Sequence, residues 1–543
     1  MLHLTQIPSL GQGGLVTGVA ALLALFAGVP ARTPRWLPAA LAACTALALL
    51  TEALLSTWYL WSPTYIDHIE ASAASMTHYW MQGKPIYPAL DSFTFHGLLY
   101  GPLLPEVNSL GYCLAGGLLG SKLVGWAAAW LALGIIACIA APRDRNWDWL
   151  IGLVSAGCIV ASFGSILTAN RADSVLLLLA AVALWSAARL PMWFGLLLVG
   201  SLAGLAAGLK LHGPAYLLPA FAWIAVRHGP SLPLRTVLAG ALVTILVAAV
   251  ALVVPFLPPN VGAAHFISYL HLGAKHGLDP TSFAWGCAFL LCLWTPPLFV
   301  VRALRADPAR AVPRELIVFA AVLLLAELAV TVIAAKPGAG THHMLPFVGY
   351  HSFLVTQLLA CAGSPNGQRH WSERPTAHAA LVGVALVLFG TSWSTALGIR
   401  ASVNFELQRP LQREQSAELL HFADAYPGGM VGIAGNESYA LTLLRPWITL
   451  RGTLQTDYGA WMDWNLSGLS DQPLAIALRT CAIPYLFVPI GGEPFSMINT
   501  YGSGPLFSDD VRDAFAGRYA LIDPGRFFNV YRCGASSPGT ASQ

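Results

Sequence analysis

The stretch YIDHIEASAASMTHYWMQGKPIYP, residues 65–88, decides how this chain is read. It follows two long apolar segments and carries two acids, Asp67 and Glu70, and then Lys84. A carboxylate beside a bilayer loses much of its hydration, which costs free energy unless the group is paired or used. Acids three residues apart are predicted to share one helical face, here at the mouth of a membrane-embedded cavity. That arrangement suits a general base or an ion-binding site better than a lipid-facing helix.

Working outward, the chain has 543 residues, of which 56% are hydrophobic and only 10% charged. Soluble domains carry about 25% charged residues. Mean hydropathy is +0.62. A soluble fold cannot hide that much apolar surface, so most of the chain is predicted to lie in lipid. Charge is unevenly placed: residues 1–398 hold 19 basic and 13 acidic residues, whereas residues 399–543 hold 10 and 13. The sequence therefore predicts an α-helical polytopic membrane domain over 1–398, with an outer catalytic loop at about 59–106. A small soluble α/β domain is predicted over 399–543. The first apolar segment lacks a basic leader and a second follows at once, which predicts a retained helix.

Apolar runs long enough to span lie near 13–29, 37–58, 121–140, 149–168, 174–188, 192–209, 214–226, 236–256, 282–301, 315–335, 344–360 and 378–398. That gives about twelve transmembrane helices. The segment 102–119, with Pro102, Pro105, Glu106 and Asn108, suits an interfacial or re-entrant helix. With the N-terminus outside, the inner turns hold Arg32, Arg35, Arg143, Arg145, Arg189, Arg227, Arg235, Arg302, Arg305, Arg310, Arg314, Arg369 and Arg374, as the inside-positive bias requires. The soluble domain then also lies outside. Six basic residues remain on the outer side: Lys84, Lys122, Arg171, Lys210, Lys275 and Lys336. Singly each reads equally as a solvated or snorkelling side chain. Together they give the outer surface an anion-binding character.

Several outer motifs carry these cations. TANRADS, 168–174, sets Arg171 beside Asp173 at a helix start, where Asp173 also reads as a cap with Arg171 as its ion partner. LKLHGPAY, 209–216, places Lys210 and His212 at the end of a Gly/Ala-rich helix. Residues 257–281 read as a long loop bearing His265, Tyr269, His271, Lys275 and His276. AKPGAGTHHMLP, 335–346, joins Lys336 to a glycine turn and to His342 and His343, a turn able to offer N–H groups and a cation to phosphate. It lacks the Walker spacing, and no GxSxG, HExxH, dinucleotide fingerprint or basic–aromatic ribbon for nucleic acid occurs.

In the soluble domain 413–426 has helical period, and 430–436, 485–492 and 527–533 read as strands. Pro484 and Pro489 favour an edge or a short strand, and 437–480 reads as loop-like. Of nine cysteines, only Cys481 and Cys533 fall in this domain, and no C-x-x-C spacing occurs. Facing an oxidising compartment, these two are predicted to form a disulfide.

The acid pair, the GKPIYP turn, YGPLLPEVN (100–108), GSKLVGW (120–126), NRADS (170–174), GLKLHGP (208–214) and KPGAGTHHMLP (336–346) form an ordered set. It resembles the GT-C superfamily of polytopic glycosyltransferases, in particular bacterial members akin to protein O-mannosyltransferases and lipid A aminoarabinose transferases. The resemblance covers roughly residues 60–400. It implies transfer of a sugar from a polyprenyl-phosphate donor to a lipid, glycan or protein acceptor on the outer face of the bacterial cytoplasmic membrane, by an inverting reaction. It implies that an acid of the first outer loop, Asp67 or Glu70, is the general base. It also implies that Arg171, Lys210 and Lys336, with Lys84 and His343 as weaker candidates, cradle the donor phosphate. Tyr100, His212 and His342 are then candidates for sugar or acceptor contacts. Relatives often carry adjacent Asp-Glu; here the acids stand at Asp67 and Glu70, so both remain candidates for the base. No cofactor is implied. A divalent ion at the acid pair ranks below metal-free catalysis.

Two other classes compete. A transporter or flippase of a lipid-linked or small polar substrate wants ionisable residues near mid-membrane, for which Glu52 and Glu327 qualify, and internal repeats, which are not seen. A non-enzymatic lipid-binding or assembly protein is the third.

Overall fold

The computed structural model describes residues 2–27, 34–140, 148–228, 233–306, 311–361, 375–435, 444–451, 457–502 and 504–534. Of the basic residues assigned to inner turns, Arg32, Arg143, Arg145, Arg310, Arg369 and Arg374 lie outside them. In chain order the longer helices are α1 (Leu2–Ala27), α2 (Leu37–Leu60), α3 (His68–Met81), α4 (Leu103–Ala115), α5 (Gly117–Ala140), α6 (Asp148–Ala161), α7 (Ala172–Arg189) and α8 (Met192–Leu209). They continue with α9 (Leu218–His228), α10 (Leu234–Val253), α11 (Ala263–Gly273), α12 (Pro280–Arg305), α13 (Arg314–Ile333), α14 (Val348–Cys361), α15 (Pro375–Leu407) and α16 (Arg409–Ala425). Short helices follow at α17 (Arg445–Leu450), α18 (Tyr458–Asn465), α19 (Gln472–Arg479) and α20 (Asp509–Ala516). The strands are β1 (Met430–Val431), β2 (Tyr485–Pro489), β3 (Tyr519–Pro524) and β4 (Phe528–Cys533).

Among the described residues, nine helices are long and apolar enough to cross a membrane. The runs expected at 13–29 and 149–168 give shorter apolar helices. The run at 214–226 splits into a 3-10 turn, Gly213–Leu217, and the eleven-residue α9. Chain contacts divide the protein into two compact units. One comprises residues 1–58, 125–254 and 278–403; the other comprises 59–124, 255–277 and 404–543.

The first unit is helical and closes through small residues. A Cβ on Gly204 of α8 would run into the Ala248 carbonyl of α10, and one on Gly152 of α6 into Thr356 of α14. Backbone approach of this kind replaces the hydrophobic drive that lipid cannot supply. Along α10 only Gly240 is buried, and Leu238, Leu242, Ile245, Leu246 and Val250 are exposed, the pattern of a helix facing acyl chains.

The second unit holds a four-stranded sheet of order β1-β2-β4-β3. β1 runs parallel to β2, and the other pairs are antiparallel. Phe487 lies opposite Val530, and both join Leu419, Phe422, Val431 and Ile448 in one core. β2 is short, as its prolines predict, but it is internal rather than an edge. Pro489 occupies its last position and Pro484 precedes it, so neither removes a ladder bond within the strand. β3 was not legible in the sequence.

Two loop expectations are corrected here. Residues 257–281 contain α11, started at Gly262 in the left-handed conformation (φ 67°). The described part of 437–480 contains α17, α18 and α19, while 437–443 and 452–456 lie outside the described residues. The Asp457 side chain accepts the Ala460 N–H at 3.0 Å and so starts α18. Trp461 and Trp464 of that helix are buried, with Trp464 donating to the Gly97 carbonyl at 3.1 Å. These two tryptophans of a segment that reads as loop-like are core. Segment 102–119 is a separate helix, α4, parted from α5 by Gly116 and Gly117, both at positive φ.

Candidate active site

The acids lie in the second unit, at the start of α3. Asp67 is the N-cap of α3 and its Oδ1 accepts the Ile69 N–H at 3.1 Å. The same oxygen is 2.9 Å from His68 Nδ1. His68 Nε2 in turn lies 3.2 Å from the Tyr501 hydroxyl. Asp67 therefore starts the helix. Glu70, in the first turn and fully buried, accepts a hydrogen bond on Oε2 from the Tyr59 hydroxyl at 2.9 Å. That hydroxyl also accepts the Ile66 N–H at 3.3 Å. Both carboxylates sit at the N-terminal end of α3.

Behind Tyr59 stands Lys122. Its ammonium is buried and donates to the carbonyls of Tyr59, Ser62 and Thr64 at 3.1, 2.9 and 2.7 Å. It also lies 4.0 Å from the centroid of the Tyr59 ring and 5.2 Å from that of Tyr65. The Tyr65 hydroxyl is hydrogen-bonded to Ser121.

Lys84 follows the Gly83 turn (φ 67°) and is exposed, 5.7 Å from the Tyr79 ring centroid. Partial burial and the Lys84 charge hold the His78 imidazole below its ordinary value. Tyr100 enters this neighbourhood through its backbone, whose carbonyl accepts the Tyr87 hydroxyl.

The remaining candidates lie in the first unit, centred on Asp173 at the start of α7. Lys210 Nζ donates to Asp173 Oδ1 at 2.6 Å, and Arg171 Nε is 3.6 Å from Oδ2. Arg171 Nη2 lies 3.3 Å from His342 Nε2. His343 Nδ1 lies 3.2 Å from His212 Nε2, which the Tyr216 hydroxyl also approaches at 3.3 Å. Burial, helped by the Lys210 and Lys336 charges and opposed by Asp173, pushes the His212 imidazole down to about 3. Burial likewise lowers the Lys336 ammonium. Asp173 is thus the shared partner of Arg171 and Lys210, lying within α7 with Arg171 at the N-cap position. The cluster gathers Arg171, Lys210, His212, His342 and His343, and Lys336 acts on it through its charge. Asp67, Glu70, Lys84 and Tyr100 belong to the other unit.

Among the described residues, no three His, Cys, Asp or Glu side chains gather as metal ligands. Cys481 and Cys533 are joined by a disulfide, with Cα atoms 5.6 Å apart. Sequence reading passed over Tyr59, and placed Lys122 among six outer cations without a role of its own. A cation near the start of an apolar helix opposes the helix dipole, which signals that another segment holds it.

The helices and the small sheet define a polytopic helical membrane fold with a small α/β domain. A solved structure with a similar fold is ArnT from Cupriavidus metallidurans bound to undecaprenyl phosphate, with TM-score 0.54 and 13% identity over 91% of this chain and 98% of that one. The apo form of the same protein aligns at TM-score 0.48 and 13% identity, over 90% and 98%. No family model and no curated protein matches the sequence.

Proposed function

We propose that this chain is an inner-membrane glycosyltransferase that moves a sugar from a polyprenyl-phosphate donor to an acceptor on the outer face. The observation that carries the reading is a fold shared, over nine-tenths of the chain, with a protein solved on undecaprenyl phosphate. The two clusters supply the chemistry. A carboxylate, Asp67 or Glu70, takes the proton of the acceptor hydroxyl as its oxygen attacks the anomeric carbon from the face opposite the phosphate. The sugar–phosphate C–O bond breaks, and its electron pair leaves on the lipid phosphate, inverting the anomeric centre. Arg171, Lys210 and Lys336, with Lys84 and His343, stabilise that charge. One Asp173 against three cations leaves the first-unit cluster net positive, which suits a phosphate. Tyr100, His212 and His342 are assigned to sugar or acceptor contacts. The inside-positive bias supports both chain termini on the outer side.

One observation favours the transporter reading. Within the spans, Glu327 is fully buried, 2.5 Å from His351 Nε2, and accepts the Trp294 indole N–H at 2.7 Å. Intramembrane ionisable pairs mark proton or ion paths in transporters. Purified protein given labelled polyprenyl-phosphate sugars and candidate acceptors separates the two. Sugar transfer in detergent is the expected result. Substrate movement across sealed vesicles without transfer would reject the glycosyltransferase.

A further inference from the structure

We propose that Tyr59 and Lys122 are positioning residues that hold Glu70, rather than Asp67, as the working base. The proposal rests on the glycosyltransferase reading and names which of its two acids does the work. The acids are held differently. Asp67 spends one oxygen, Oδ1, on the Ile69 N–H at the start of α3 and on the ring of its neighbour His68, the first a task an Asp performs at many helix starts. Glu70 is gripped at its carboxylate by a side chain from another helix, the Tyr59 hydroxyl at 2.9 Å. Tyr59 is fixed from both ends. Its hydroxyl takes the Ile66 N–H, and its ring and carbonyl both face the Lys122 ammonium.

Lys122 has three N–H donors, and the carbonyls of Tyr59, Ser62 and Thr64 use all three. Those carbonyls span the end of α2 and the turn leading to Asp67, so one side chain sets the path of the backbone between Tyr59 and the acids. Burying an ammonium is costly, and neutral donors can pin a turn. A cation at the ring face of the tyrosine that donates to Glu70 also polarises that hydrogen bond. A base that must meet the acceptor hydroxyl within a few tenths of an ångström needs such support, because a misplacement of about 1 Å can cost roughly 100-fold.

The test is a mutant cycle on sugar transfer by the full-length protein. Tyr59→Phe removes one oxygen and keeps the ring on Lys122. It should lower kcat by roughly 10- to 100-fold and leave KM for the donor unchanged. In a Glu70→Gln background Tyr59→Phe should cost nothing more, whereas with Asp67→Asn it should cost its full factor. Lys122→Met should follow the pattern of Tyr59→Phe wherever it inserts; Tyr59→Phe decides the matter if it does not. Equal losses in both backgrounds, or an unchanged kcat, would overturn the positioning role and leave the glycosyltransferase standing. A wild-type chain that transfers no sugar to any acceptor would overturn both.

Discussion

At the residue scale, the two acids differ in what their loss should do. Glu70→Gln keeps the size of the side chain and removes the basic oxygen, so turnover should fall about 100- to 10,000-fold with the protein still folded and inserted. Near-normal transfer by this variant would sink the catalytic assignment. His212 gives a test through acidity. Its imidazole, with a folded value of about 3, stays neutral well below its ordinary 6.5. Between those values the unfolded chain binds a proton that the folded chain does not, so stability should fall as pH drops below 6.5. His212→Gln should flatten that dependence in thermal unfolding between pH 4 and 7; parallel curves for the two proteins would contradict it. The acids, the cations and the histidine pair were all legible as residue types at unusual places. Their partners were not. Lys122 reaches carbonyls about 60 positions earlier in the chain, and Arg171 meets a histidine 171 positions later, separations that carry no local period or spacing.

At the scale of elements, the long apolar runs announced the spanning helices because lipid demands about 20 apolar residues of each. The soluble part was harder, since burial of specific side chains overrode local appearance. The YGAWMDWN segment of α18 looks like a turn, yet Asp457 caps it and Trp461 and Trp464 fill the core. β3 has no clean alternation, its first two residues being buried and the next two exposed. Small residues in the membrane unit make a sharper prediction. Gly204→Leu must push α8 away from the Ala248 carbonyl of α10, where backbone cannot give as a side chain can. Overpacking of this kind typically costs about 1–3 kcal/mol. Thermal unfolding should register that loss, whereas Leu238→Ala on the exposed side of α10 should change little. Equal stability of the two variants would mean that the α8–α10 approach is looser than described.

For the whole molecule, the disulfide speaks to both stability and compartment. Cys481 and Cys533 are 52 residues apart, and closing such a loop stabilises by about 4 kcal/mol on the chain-entropy model. Reduction, or Cys481→Ala with Cys533→Ala, should make the second unit markedly more sensitive to protease. Two freely alkylated thiols in native protein would remove the bond and, with it, the outer placement of the C-terminal region. The sequence pointed to this pair because other cysteines lie in or beside apolar runs. It did not disclose that the compact unit around the acids draws on three separate stretches of chain.

That division has a consequence for synthesis. The acids leave the ribosome early, but His68 finds Tyr501, and Gly97 finds Trp464, only when the far end of the chain arrives. At about 5–20 residues per second, the wait is roughly 20 to 90 s. During that interval the segment bearing Asp67 and Glu70 is already delivered, while the partners of His68 and Gly97 are still being translated. On the proposed function, a half-made chain would therefore be inert until residues 404–543 pack against the segment bearing the acids. Chains ended after residue 403 should insert and yet transfer no sugar; full activity from such a truncation would contradict this order of assembly.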